Sequence, residues 1–159
     1  MKSLTAERLR EVLRYDPVTG VFVWLVDKTN KTRTGGLAGD GKTADRYIRI
    51  MIDGHRYLAH RLAWLYVTGA WPVAQIDHAN GASRDNRYAN LREATQQQNC
   101  GNRKKTAGRP LPKGTRAKYH KFEASIRGRY LGMFRTADEA GAAYADAAKR
   151  AYGEFARTT

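Results

Sequence analysis

Glycine and proline cut this chain into short pieces, and that limits it to small, loop-rich units. Fifteen glycines and four prolines are spread over 159 residues. No apolar run between them approaches the roughly 20 residues that a membrane-spanning helix requires, so no membrane span or membrane partner is expected. A chain of this length makes one ordinary domain or two small ones, each with little volume for a core. With 42% apolar residues and 16 aromatics it is still no disordered tail. The single cysteine, Cys100, excludes a disulfide framework within the chain and any site built on paired CxxC motifs, and no disulfide-linked partner is expected. Residues 1–13 hold no long apolar h-region, so the reading expects a cytoplasmic protein.

Charge narrows the class of partner. There are 29 Lys and Arg against 15 Asp and Glu, a formal net charge of +14. Residues 100–135 carry eleven of the basic groups and one acid, Glu123. Residues 1–99 carry 15 basic and ten acidic groups, and residues 136–159 three and four. Charge that serves solubility is spread along a chain, whereas a phosphate-binding surface is concentrated. The expected partner is nucleic acid.

Leucines at helical spacing predict a helix over 4–13, with Thr5 as cap. Turn chemistry at Tyr15-Asp16-Pro17-Val18-Thr19-Gly20 then leads into a strand over 21–25. Residues 27–46 are polar and glycine-rich and read as a loop. Strands over 47–52 and 56–58 are joined by Asp53-Gly54, a strong hairpin signal. A helix follows over 59–68, ended by Gly69. Its Trp64, and Trp71 beyond it, read as core, and His60 reads as a packed or capping histidine. Residues 102–113 are basic and, at Gly108-Arg109-Pro110-Leu111-Pro112, resist regular structure. Three short strands over 114–118, 121–127 and 129–134 precede an alanine-rich helix over 136–152, with Thr136 and Glu139 placed for a capping box.

The chemistry is concentrated between Ile76 and Asn99. An Asp77-His78 pair ends an apolar segment, a polar loop follows, Asn90-Leu91-Arg92 restores order, and a short helix starts near Thr95 with Asn99 on the face of Thr95. These residue types suit metal-assisted phosphodiester hydrolysis. A neutral histidine can take a proton from the attacking water. A hard divalent cation held by one or two protein oxygens can put positive charge on the phosphate, and Asp77 and the amide oxygen of Asn99 are able to supply those oxygens. Neighbours on a strand point to opposite faces, so Asp77 and His78 can serve metal and water together only if the backbone turns there.

The order Asp77-His78, Asn90, Asn99, with the lead-in from Tyr15 to Trp24 and the segment His60-Arg61-Leu62-Ala63-Trp64, resembles the HNH nucleases over residues 15–102. The likeness is to the phage and intron-homing branch, in which asparagine replaces the last histidine of the signature. It implies a ββα-metal core over about 75–103 and a DNA endonuclease using one Mg²⁺ or Mn²⁺. In that role Asp77 and Asn99 would be metal ligands, His78 the general base, and Asn90 the residue that fixes the loop orienting His78. Many relatives add CxxC zinc sites; this chain has none, so no structural zinc is expected.

Residues 113–144 carry a second likeness. Lys113-Gly114-Thr115-Arg116, Lys121 to Ile126, Tyr130 to Phe134, Glu139-Ala140 and Ala143-Tyr144 resemble the plant ethylene-response-factor DNA-binding domain, a three-stranded sheet on one helix. By alternation Phe122, Ala124 and Ile126 should face the helix, and Lys121, Glu123, Ser125 and Arg127 should face outward. The tryptophan common in the plant domain's second strand is missing; Tyr119 or His120 stands near its place.

The sequence therefore predicts an α+β protein in which an HNH nuclease domain (1–102) joins a DNA-binding domain (114–159) through a basic linker (103–113). Arg103, Lys104, Lys105, Arg116, Lys118, Lys121, Arg127 and Arg129 are the expected contacts to double-stranded DNA. A non-catalytic DNA-binding regulator on the same scaffold is the alternative, and RNA as substrate is a third reading.

Overall fold

The computed structural model describes residues 4–27, 33–39, 46–103, 108 and 110–158. The protein is α+β, and its contacts divide it into two compact units, Met1–Ala94 and Thr95–Thr159. The division falls eight residues before the domain end that the sequence suggests.

In the first unit, helix α1 (Ala6–Val12) starts where the Thr5 hydroxyl accepts from the Arg8 amide at 3.2 Å. It runs straight into strand β1 (Leu13–Asp16), which the sequence reading folds into helix and turn. β1 pairs antiparallel with β2 (Val21–Trp24), and β2 with the two-residue strand β3 (Leu37–Ala38). β3 lies inside the stretch expected to be loop, and residues 28–32 and 40–45 of that stretch are outside the described residues. Strands β4 (Arg49–Ile52) and β5 (His55–Leu58) form a hairpin whose turn residues Asp53 and Gly54 both have positive φ, as a tight primed turn requires. Helix α2 (Ala59–Thr68) has the predicted bounds. Its buried Leu62 and Leu65 meet Leu9 and Leu13 with Ile50 and Ile52 in one core. Trp64 and Trp71 pack on its edge, and Trp71 Nε1 donates to the Leu4 carbonyl at 2.9 Å.

Strands β6 (Gln75–His78) and β7 (Leu91–Ala94) close the unit as an antiparallel pair, with Asp77 opposite Arg92 and His78 opposite Leu91. The loop between them ends in a single 3₁₀ turn, Tyr88–Asn90.

The second unit begins with helix α3 (Gln96–Gly101), capped by a reciprocal Thr95–Gln98 pair. Strands β8 (Thr115–Lys118), β9 (Lys121–Ile126) and β10 (Arg129–Phe134) form an antiparallel sheet in the order β10-β9-β8. Helix α4 (Ala137–Tyr152) covers one face of it, and the predicted capping box between Thr136 and Glu139 is present. Ala124 and Ile126 are buried with Ala140, Tyr144, Ala147 and Ala148. α3 is held to this unit twice. A Cβ on Gly101 would lie 2.5 Å from the Tyr152 ring, so helix and ring are in direct contact. Lys113 Nζ donates to the carbonyls of Gly101 (3.0 Å), Arg103 (2.6 Å) and Arg157 (2.8 Å), and burial pushes its pKa below the ordinary lysine value.

Candidate active site

Asp77 and His78 are the last two residues of β6, and both are 5% exposed. A buried carboxylate needs a partner. Asp77 has one on the facing strand: Arg92 sets Nε and a terminal nitrogen each 3.0 Å from its Oδ2. The strand ends at His78 and the chain turns at once, the Gly81 amide donating to the His78 carbonyl at 2.7 Å.

Asn90 belongs to the staple of the loop that follows. Its Oδ1 accepts from the Asn80 amide at 3.0 Å, and its Nδ2 donates to the Asp85 carbonyl at 2.8 Å. Its backbone carbonyl takes the Ala79 amide at 2.9 Å. Asp85 ties the loop again, accepting from Asn80 Nδ2 at 2.7 Å and from two nitrogens of Arg87, and the Arg87 bond holds its carboxyl down to about 2.

The His78 ring lies among three partners to which sequence reasoning assigns no catalytic part. Asn86 Oδ1 is 3.3 Å from His78 Nε2, and Asn86 is 2% exposed. The His60 ring meets His78 edge-on with centroids 5.1 Å apart, and Tyr47 stacks at 6.1 Å. Burial drives the His78 pKa below the usual imidazole value; the Asn86 bond, Asp77 and Asp85 oppose the shift, and Arg46 adds to it. His60 is pushed further, to about 4, again mainly by burial and then by His78. Its Nδ1 is buried without a hydrogen-bond partner, so it is packed as expected but caps nothing through that atom. A histidine before Arg61 gave no hint of this contact, because it joins residues 18 apart in sequence.

The lead-in turn is part of the same construction. The Tyr15 hydroxyl donates to the Asn86 carbonyl at 2.7 Å, and the Tyr88 amide donates to the Pro17 carbonyl at 3.0 Å. Gly20, at φ +75, lies so close that an added Cβ would stand 2.5 Å from the Arg87 nitrogen and 2.6 Å from the Asn86 carbonyl carbon. The turn from Asp16 to Gly20 thus braces the loop that holds His78.

Asn99 lies on α3 in the second unit, its amide donating to the Thr95 carbonyl at 2.9 Å. The expected basic contacts divide as follows. Lys104 and Lys105 lie outside the described residues, and Arg103 is exposed just after α3. Arg116 and Lys118 are on β8, Lys121 opens β9, Arg127 is in the β9–β10 turn and Arg129 opens β10. All five side chains are exposed. Glu123 shares their outer face, as alternation places it, yet is only 7% exposed. Arg116 stands 2.8 Å from Glu123 Oε1 and Lys118 3.4 Å from Oε2, and these two long side chains cover the carboxylate.

Among the described residues, no three His, Cys, Asp or Glu side chains gather closely enough to hold a metal by themselves. No helix among them is long and apolar enough to cross a membrane. Residues 57–100 match the family model described as HNH endonuclease. No curated protein and no solved structure matches the chain. The matched segment runs from β5 through β6, the stapled loop and β7 into α3, and it contains Asp77, His78, Asn90 and Asn99. The likeness to HNH endonucleases covers 44 of the 159 residues, and over that segment it suggests a nuclease of HNH type.

Proposed function

We propose that the protein is a metal-dependent DNA endonuclease in which His78 is the general base. The observation that supports this best is the end of β6: a buried histidine, its pKa lowered by burial, next to a buried carboxylate and followed by a loop stapled through Asn90. A neutral imidazole is the form that accepts a proton. Asp77 offers a buried carboxylate to a hard cation; Mg²⁺ or Mn²⁺ takes few protein oxygens and keeps water or phosphate oxygens in its other positions. When bound, such an ion supplies positive charge to the phosphate and the leaving oxygen. Asn90 acts by holding the loop rather than by touching substrate.

The exposed basic side chains of the β8–β10 sheet would grip the DNA backbone, in the manner of the ethylene-response-factor domain that residues 113–144 resemble. Likeness to the homing branch favours a phage or mobile-element setting. Supercoiled plasmid titrated with the full chain and Mg²⁺ or Mn²⁺ tests the reading. Cleavage should appear with metal, vanish with chelator, and fall roughly 10²–10⁴-fold in His78→Ala while DNA affinity stays within a few-fold. Binding without cleavage under any divalent ion would turn the conclusion to a DNA-binding protein on a nuclease scaffold.

A further inference from the structure

We propose that Asn86 is a positioning residue that fixes which nitrogen of His78 carries the proton: its Oδ1 accepts from Nε2–H, leaving the lone pair of the neutral ring on Nδ1. The inference rests on the reading of His78 as the base and adds to it the identity of the reacting nitrogen.

The geometry carries the argument. Asn86 Oδ1 is 3.3 Å from Nε2, and the two residues are 2% and 5% exposed. An amide oxygen only accepts, so a neutral imidazole facing it must present an N–H there. The partner of one ring nitrogen thereby sets the state of the other. The placement of Asn86 is firm on both sides. Tyr15 holds its carbonyl at 2.7 Å, and Gly20 lets the β1–β2 turn lie directly on its peptide group. Asn90 adds a further tie through the Asp85 carbonyl, immediately before Asn86. The ring itself packs against Tyr47 and His60, which also touch each other.

In the reaction, the oxygen of water forms the new bond to phosphorus as its proton passes to Nδ1 of His78. The bond from phosphorus to the leaving oxygen breaks with its electron pair staying on that oxygen, which takes a proton from solvent. The imidazolium carries hydrogen on both nitrogens, and its Nε2–H remains bonded to Asn86 throughout. The ring then returns the Nδ1 proton to solvent.

The test reads the tautomer directly. The ¹⁵N-labelled full chain, metal-free and at mildly alkaline pH, should show His78, assigned by its loss in His78→Ala, as an Nε2-protonated neutral ring in long-range ¹H–¹⁵N spectra. Asn86→Ala should mix the tautomers and lower kcat by roughly 10–100-fold with KM little changed, the scale typical of groups that orient a reacting residue. Asn86→Asp, which keeps an acceptor, should restore the single tautomer and most of kcat. A parent protein with hydrogen on Nδ1 overturns the inference and needs no variant. So does an Asn86→Ala protein with parental tautomer and kcat. If the tautomer responds as stated but His78→Ala cuts DNA at the parental rate, the base reading fails and the Asn86–His78 bond stands.

Discussion

Replacing Gly20 by alanine tests whether the β1–β2 turn braces the proposed catalytic loop. Two costs add. A non-glycine residue in the left-handed region costs roughly 1–2 kcal/mol. The new Cβ would also stand 2.5 and 2.6 Å from backbone atoms of Arg87 and Asn86, which cannot rotate away as a side chain can. Overpacking of that kind costs about 1–3 kcal/mol. Gly54 provides the matched control, for it has nearly the same φ, +79, and no atom within 4 Å of its added Cβ. Gly54→Ala should therefore lose only the conformational part. At roughly 4–8 °C per kcal/mol for a unit of about 100 residues, Gly20→Ala should melt at least about 4 °C below Gly54→Ala. Thermal unfolding followed by circular dichroism reads the gap. Plasmid cleavage at a temperature where both variants are folded should show a large loss of kcat in Gly20→Ala alone. Equal melting temperatures with equal activities would refute the bracing, since they would leave backbone conformation as the whole effect.

Arg92→Ala removes the ion pair between Arg92 and the buried Asp77, and breaking a buried ion pair from one side costs about 3 kcal/mol; added Mg²⁺ should recover part of the melting temperature in the variant and much less in the parent. His60 sets an acid limit on stability. Its unfolded imidazole takes up a proton near pH 6.5 while the folded one resists until about 4, so stability falls as pH drops through that window, by at most about 3 kcal/mol. Urea titrations of His60→Leu should show a flatter pH dependence there, and an unchanged curve would exclude His60 as the cause. Lys121→Ala, Arg127→Ala and Arg129→Ala combined should flatten the slope of log affinity against log salt on duplex DNA by up to about 2.7, at roughly 0.9 per lost phosphate contact. A parental slope would remove the sheet from the DNA interface.

What the sequence made legible was local. The bounds of α2 followed from its apolar spacing and Gly69, the Thr136–Glu139 capping box followed from side chains three residues apart, and a short helix was expected to start near Thr95. β1 was missed because Leu13 completes the leucine spacing of α1, so a strand beginning there looks like the end of a helix. β3 was missed because two residues carry no period. Alternation placed Glu123 on the correct face, but its burial depends on Arg116 and Lys118 folding over it, which no period encodes. At the candidate site, Asp77, His78 and Asn90 stood out by type and order. Asn86 did not, because one more asparagine in a polar loop looks like a turn former, and its contact with His78 exists only once Tyr15 and Gly20 have fixed the loop from far away in the chain.

Lys113 is one of the basic residues by which the 100–135 stretch reads as a phosphate grip, yet the fold removes it from that tally. Its three ammonium hydrogens face three carbonyls, on Gly101, Arg103 and Arg157. A compact point charge with rotatable donors can satisfy three acceptors converging on one point, and the flat fork of arginine cannot. Substitution should therefore follow opposite rules at lysines that look alike in the sequence. Lys121 should tolerate arginine freely, since only charge near a phosphate is asked of it, while Lys113 should reject arginine almost as firmly as leucine. A library varied at both positions and sorted for folded protein would recover Lys113 with the intolerance of an interior residue.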